Sequence, residues 1–162
     1  MSNVEPRKKA SADEMDQMHA EAEAKVTTFS YAKPSDAIAT GTGRVELVKT
    51  DRLRGIVQIV KKNGGENNLH YHTNSDSMWM VLKGRVRFYG PGDEVIGEFG
   101  PNEGTVTPAY SRYWFENVGE GDLELLQVAA LHDRKTKGSG RTDVTPQRYQ
   151  VGTSDRFSAI KS

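Results

Sequence analysis

The chain has 162 residues, enough for one domain with a sizeable core. Lys+Arg and Asp+Glu both count 22, so the formal net charge is zero, without the basic excess of a nucleic-acid-binding chain. There is no Cys, which excludes disulfides, thiolate nucleophiles, zinc fingers and iron–sulfur clusters. No apolar run approaches the roughly 18 residues that span a bilayer. The start, Met1-Ser2-Asn3-Val4-Glu5-Pro6, has no apolar h-region, so the expected location is the cytoplasm.

Residues 11–25 predict a helix. Ser11 followed by Glu14 matches a capping box, and Met15, Met18 and Ala22 form a thin apolar stripe at helical spacing. That stripe suits packing on the main body or on a second subunit, or a marginal surface helix. From Gly43 the pattern changes to strands. Val45 and Leu47 alternate with polar neighbours, and Ile56–Val60 is β-branched. Turn sequences then recur at Asn63-Gly64-Gly65, Lys83-Gly84, Pro91-Gly92-Asp93, Gly100-Pro101-Asn102 and Gly119-Glu120-Gly121. Apolar stretches lie between them, notably Met78–Leu82 and Leu123–Ala130. Short strands between Gly/Pro/Asn turns predict an all-β sandwich or barrel. Residues 133–162 lose the apolar pattern and carry seven basic against three acidic residues. Within this tail, Lys135, Lys137 and Arg141 around Gly138-Ser139-Gly140 could hold a phosphate, but they read as a flexible basic loop.

Two of the four histidines stand as His70-Tyr71-His72. On a strand they share one face, which is the start of a metal site. His19 and His132 read as surface residues. Gly64, then five residues, His70-x-His72 and Gly84, with Pro108 and Asn117 later, resembles the paired motifs of the cupin family. Those motifs run G-x5-H-x-H-x3–4-E-x6-G and G-x5-P-x-G-x2-H-x3-N. The resemblance covers about residues 43–130. It implies a double-stranded β-helix, or jelly-roll barrel, over 43–132. A helix and arm would precede it over 1–42, and the 133–162 tail would pack on it.

Cupin metal sites usually take three His and one Glu. In this register Ser77 stands at the glutamate and Tyr113 at the third histidine. Tyr110 replaces a motif glycine and Asn102 the leading one. Only His70 and His72 remain of the four ligands. Tyr113 could complete the shell as a phenolate, donate a proton, or be a core tyrosine. Asp76 lies one residue off the glutamate position and reaches the site only if the preceding turn is shifted. Strand parity places Trp79 with Ser77 and Phe115 with Tyr113 on the cavity side. Gln58 and Gln127, between apolar neighbours, fit a polar-lined pocket. The opposite parity of Met78 and Met80 suits a homodimer contact or a second layer.

Three functions remain open. The resemblance implies a small-molecule enzyme (dioxygenase, isomerase or lyase) with Fe, Mn, Ni or Zn on His70 and His72. A second is a metal-free isomerase or epimerase, like the cupin-fold dTDP-sugar enzymes that use His as base and Tyr as acid. A third is a small-molecule-binding module without turnover. None of the three involves nucleic acid or a membrane.

Overall fold

The computed structural model describes residues 8–35, 38–65, 67–149 and 154–161. It begins with helix α1 (Ala12–Glu23), which Ser11 caps as expected. The Ser11 side chain accepts from the Glu14 amide, and the Glu14 carboxylate accepts from the Ser11 amide. No residue of α1 is buried, and Met18 is 56% exposed. Its apolar stripe is therefore not buried against any described residue.

Strands follow in chain order: β1 (Thr28–Phe29), β2 (Thr42–Lys49), β3 (Leu53–Val60), β4 (His70–His72), β5 (Ser75–Lys83), β6 (Val86–Tyr89) and β7 (Val95–Phe99). After these come β8 (Gly104–Thr107), β9 (Trp114–Asn117), β10 (Leu123–Leu131), β11 (Arg141–Asp143), β12 (Asp155–Ser158) and β13 (Ile160–Lys161). Six of them make one sheet in the order β12-β2-β3-β10-β5-β8, and β7-β6-β9 make a second. Two short pairs, β11-β4 and β1-β13, complete the set. All pairings are antiparallel except β12 on β2. The described residues are thus mainly strand with one short α-helix, the all-β architecture that the turn spacing predicted and the jelly roll that the resemblance implied. No helix is long and apolar enough to cross a membrane among the described residues.

Alternation along the strands sorts two apolar clusters. One joins the sheets: Val60, Trp79, Val81 and Leu125 from the large sheet meet Val86, Phe88 and Phe115 from the small one. Phe88 and Phe115 are buried, so cutting either to Ala would cost about 3–5 kcal/mol. The other cluster lies on the outer side of the large sheet, where Val45, Leu47, Val57 and Ile59 are covered by Tyr31, Ile38 and Phe157. The arm before β2 is held there by Lys33 on Asp122 at 2.7 Å and by the Tyr31 hydroxyl donating to Glu124.

The tail is built into the sheets. β11 pairs with β4, so Arg141 lies opposite His72 and Asp143 opposite His70. β12 adds beside β2, with Arg156 opposite Arg44. Asn68 secures the run before β12: its side-chain oxygen accepts from the Arg148 and Tyr149 amides, and its amide group donates to the Tyr149 carbonyl. Residues 133–149 and 154–161 thereby reach the same face of the fold as the two histidines.

The backbone supports the motif register. Gly84 has a positive φ of 94°, and Asn102 and Tyr110 each have φ 68°. Both replaced glycine positions therefore keep the left-handed conformation that glycine adopts without strain. Asn tolerates that region well, whereas Tyr110 adopts it at a cost.

Candidate functional site

The inner faces of the large sheet and of β4 and β11 enclose an open cavity of about 870 Å³. His70, His72, Tyr113, Trp79, Phe115, Gln58 and Gln127 all line it. His70 and Tyr113 are brought together by the backbone. Each amide donates to the other's carbonyl at 3.0 Å, an isolated antiparallel bridge. Their ring centroids lie 4.4 Å apart, and His72 lies 5.2 Å from His70. His70 and Tyr113 are each only 1% exposed.

The two imidazoles are held at the same atom. His70 Nδ1 is 2.6 Å from the Asn68 carbonyl, which can only accept, so this nitrogen carries the proton and Nε2 is free. His72 Nδ1 is 2.7 Å from the Ser139 hydroxyl. Burial, then the positive charge of Arg141, pushes His70 down to about 3 and His72 to about 4. Both rings are neutral at pH 7. Burial pushes the Tyr113 phenol up to about 12, so it keeps its proton. Its hydroxyl is buried with no hydrogen-bond partner. The Thr107 hydroxyl acts on it but falls short of bonding geometry, and already accepts from Trp79 Nε1 at 2.9 Å.

The glutamines are satisfied in a chain across three strands. Gln58 donates to Gln127 at 2.9 Å, and Gln127 donates to the Ser77 hydroxyl at 3.1 Å. Ser77 is buried on the inner side as expected, but supports Gln127 from below and does not line the cavity. Asp76 requires a correction. It points outward, accepts from the Ala109 amide at 2.8 Å and pairs with His132 at 3.3 Å. The turn before β5 is not shifted, so alternation puts Asp76 on the face away from the histidines. His132 is half exposed there, outside the cavity.

Sequence reasoning missed the arginines. Arg44, Arg54, Arg141 and Arg156 line the cavity, with Glu46 as the one carboxylate among the described lining residues. Arg44 and Arg54 sit at cavity-facing positions of strands already recognised, so parity could have found them. Arg141 and Ser139 come from the loop read as flexible and basic.

Residues 56–129 match the cupin domain family. The chain carries a cupin domain. Solved cupin structures resemble it in fold. A double-stranded β-helix protein from Klebsiella pneumoniae superposes with TM-score 0.54 at 17% identity, covering 70% of this chain and 90% of that one. KdgF from Halomonas gives 0.55 at 16%, covering 67% and 97%. The oxalate decarboxylase of Lactobacillus farciminis, solved as a formate complex, gives 0.50 at 14%, covering 67% of this cupin and 32% of the decarboxylase. No curated protein matches the sequence.

Cupins often hold a divalent metal, and the donor set of this site decides whether one fits. His70 and His72 offer two neutral nitrogens. The glutamate position is a serine bonded to Gln127, and the third histidine is a phenol whose surroundings oppose ionisation. No group of three or more His, Asp or Glu side chains converges among the described residues. Arg141 and Arg44 add positive charge beside His72. Two neutral donors in a positive field do not fit a resident divalent cation.

Proposed function

We propose that this cupin is a metal-independent enzyme of the isomerase or epimerase type, moving a proton within a small carbonyl compound bound in the cavity. The observation that supports this is the Tyr113 ring packed against His70 with its hydroxyl orphaned. A protonated phenol and an imidazole with a free Nε2 are a donor and an acceptor side by side. Tyr113 gives its proton to the substrate, and His70 Nε2 takes one from the carbon beside the carbonyl. His72, half-buried and oriented by Ser139, borders the same space. Trp79 and Phe115 supply an apolar wall that limits water at the reacting carbon.

The test is solvent-deuterium incorporation, followed by NMR, into a panel of keto acids and keto sugars, with metal content measured on the same preparation. Exchange that survives chelation and is lost in Tyr113→Phe and His70→Gln is expected. Absence of exchange across the panel counts against turnover and leaves a binding module. Exchange that vanishes with a stoichiometric metal returns the site to metal chemistry on His70 and His72.

A further inference from the structure

Four arginines face one cavity that holds a single carboxylate, Glu46, among its described lining residues. Arg44 and Arg156 are direct neighbours across the parallel β2/β12 pairing, so two like charges sit side by side on one face. Arg141 stands opposite His72 across β4/β11. Its Nε donates to Asp143 at 2.9 Å, so it is partly neutralised. Arg44, Arg54 and Arg156 make no ion pair and no side-chain hydrogen bond with any described residue. The Nε of Arg54 is buried without a partner. Arg44 keeps an exposed side, yet desolvation on its cavity side and the charges of Arg141 and Arg156 all work against its charge.

Folding alone gives no reason for this arrangement. Adjacent, unpaired guanidinium groups repel each other, and a buried unmatched donor costs stability. An anion between Arg44 and Arg156 would remove the repulsion. Guanidinium groups suit the planar oxygens of a carboxylate or phosphate, which they can bind in bidentate fashion. The net charge of the whole chain is zero, whereas the described cavity lining holds four arginines against one carboxylate.

We infer that the cavity takes a small organic anion, its carboxylate or phosphate held by Arg44, Arg141 and Arg156 and its uncharged part against Trp79, Phe115 and Tyr113. This rests on the reading of the cavity as a substrate site and narrows it to acids. The anion would also lie close enough to offset the charge that depresses the histidines, so binding and proton acceptance at His70 are coupled.

The chain has two tryptophans, of which Trp79 lines the cavity and Trp114 does not. In a Trp114→Phe background, Trp79 fluorescence is titrated at fixed ionic strength with sodium succinate, sodium phosphate and uncharged succinamide. Thermal midpoints of the unaltered chain with the same three probes give a second readout that needs no variant. Succinate or phosphate is expected to change the emission and raise the midpoint, and the stronger of the two tells a carboxylate from a phosphate ligand. Succinamide should do neither. Arg44→Gln and Arg156→Gln should each weaken binding about tenfold or more, the loss expected for one charge-assisted hydrogen-bonded contact. Lys83→Gln, on an exposed position outside the cavity, should leave binding unchanged.

The inference is overturned if neither anion binds, if succinamide binds as well, or if Lys83→Gln weakens binding as much as the arginine variants. Binding is read without turnover, so it does not depend on any proton transfer. Anion binding without proton exchange therefore removes the proton-transfer reading alone, and exchange without anion binding removes this inference alone.

Discussion

Tyr113→Phe should stabilise the fold while abolishing proton transfer. The substitution removes one oxygen and leaves the ring in its contacts with Trp79, Phe88 and His70. That oxygen is buried and unpartnered, so its removal forfeits no hydrogen bond. Burying a hydroxyl without a bond costs about 1–3 kcal/mol, and the nearness of the Thr107 hydroxyl places this case at the low end, about 1 kcal/mol. For a domain of this length, 1 kcal/mol moves the midpoint by about 2–4 °C, here upward. Circular dichroism melts at pH 7 measure this, where the phenol is neutral in both folded and unfolded chains. Tyr89→Phe is the control. That hydroxyl donates to Glu116 at 2.5 Å and accepts from Arg87 at 3.2 Å, so its loss should lower the midpoint. A fall in Tyr113→Phe matching that in Tyr89→Phe would show that the Tyr113 hydroxyl is satisfied and refute the reasoning.

Other outcomes follow from the same geometry. The folded His70 and His72 lie below their unfolded value of 6.5, so their contribution is full above pH 6.5. It is lost as pH falls through the window down to about 4 for His72 and about 3 for His70. Each should steepen acid destabilisation by up to about 1.4 kcal/mol per pH unit, checked by NMR titration of the two rings and by denaturant melts from pH 7 to 4. Asp76→Asn should leave anion binding and proton exchange unchanged, since the carboxylate faces outward; a loss measured in either assay would place it in the site. Gly104→Ala should lower the midpoint sharply or prevent folding. Its Cβ would sit 1.7 Å from the Trp79 carbonyl, so β8 must leave β5 and the Trp79–Thr107 bond with it. Tyr110→Gly should be neutral or mildly stabilising in the same melts, because relief of its left-handed φ offsets about 1 kcal/mol of added unfolded-chain entropy.

Much of the site was legible because strand parity is a strict rule. Parity put His70 and His72 on one face; the family resemblance set Ser77 and Tyr113 inward, and parity along each strand then carried Trp79 and Phe115 to the same side. The two glutamines were legible for a different reason: amides between β-branched and aliphatic neighbours need partners, and they found each other across β3 and β10. The arginine wall was illegible because a charge on an alternating strand reads as solvent-facing unless the element opposite is known. That element is β12, added in parallel to β2 from far along the chain. β11 is three residues long, too short to show any period, and its place beside β4 depends on contacts such as Thr73 and Asn74 amides donating to Gly140 and Ser139 carbonyls. Local patterns carry neither fact.

The lost metal ligands and the added arginines have a common electrostatic sense. A glutamate at position 77 and a third histidine at 113 would supply negative charge and a nitrogen donor to a cation. Serine and tyrosine supply neither, and both are engaged or held neutral by their surroundings. With that attraction gone, the charge of Arg141 at both histidines, and of Arg44 at His72, is offset only in part by Asp143, and it favours any species in the cavity that is negative or becomes so during reaction. A carbanion or enolate formed by proton removal is such a species, as is a bound acid before reaction. Burial first, and then the Arg141 charge, make His70 a weak base, and that same charge lowers the cost of the intermediate that its proton abstraction creates. Restoring the glutamate by Ser77→Glu would put a carboxylate beside Gln127 and work against both effects. It should weaken succinate and phosphate binding and raise the titration points of the two histidines, and unchanged values for both would refute this electrostatic account.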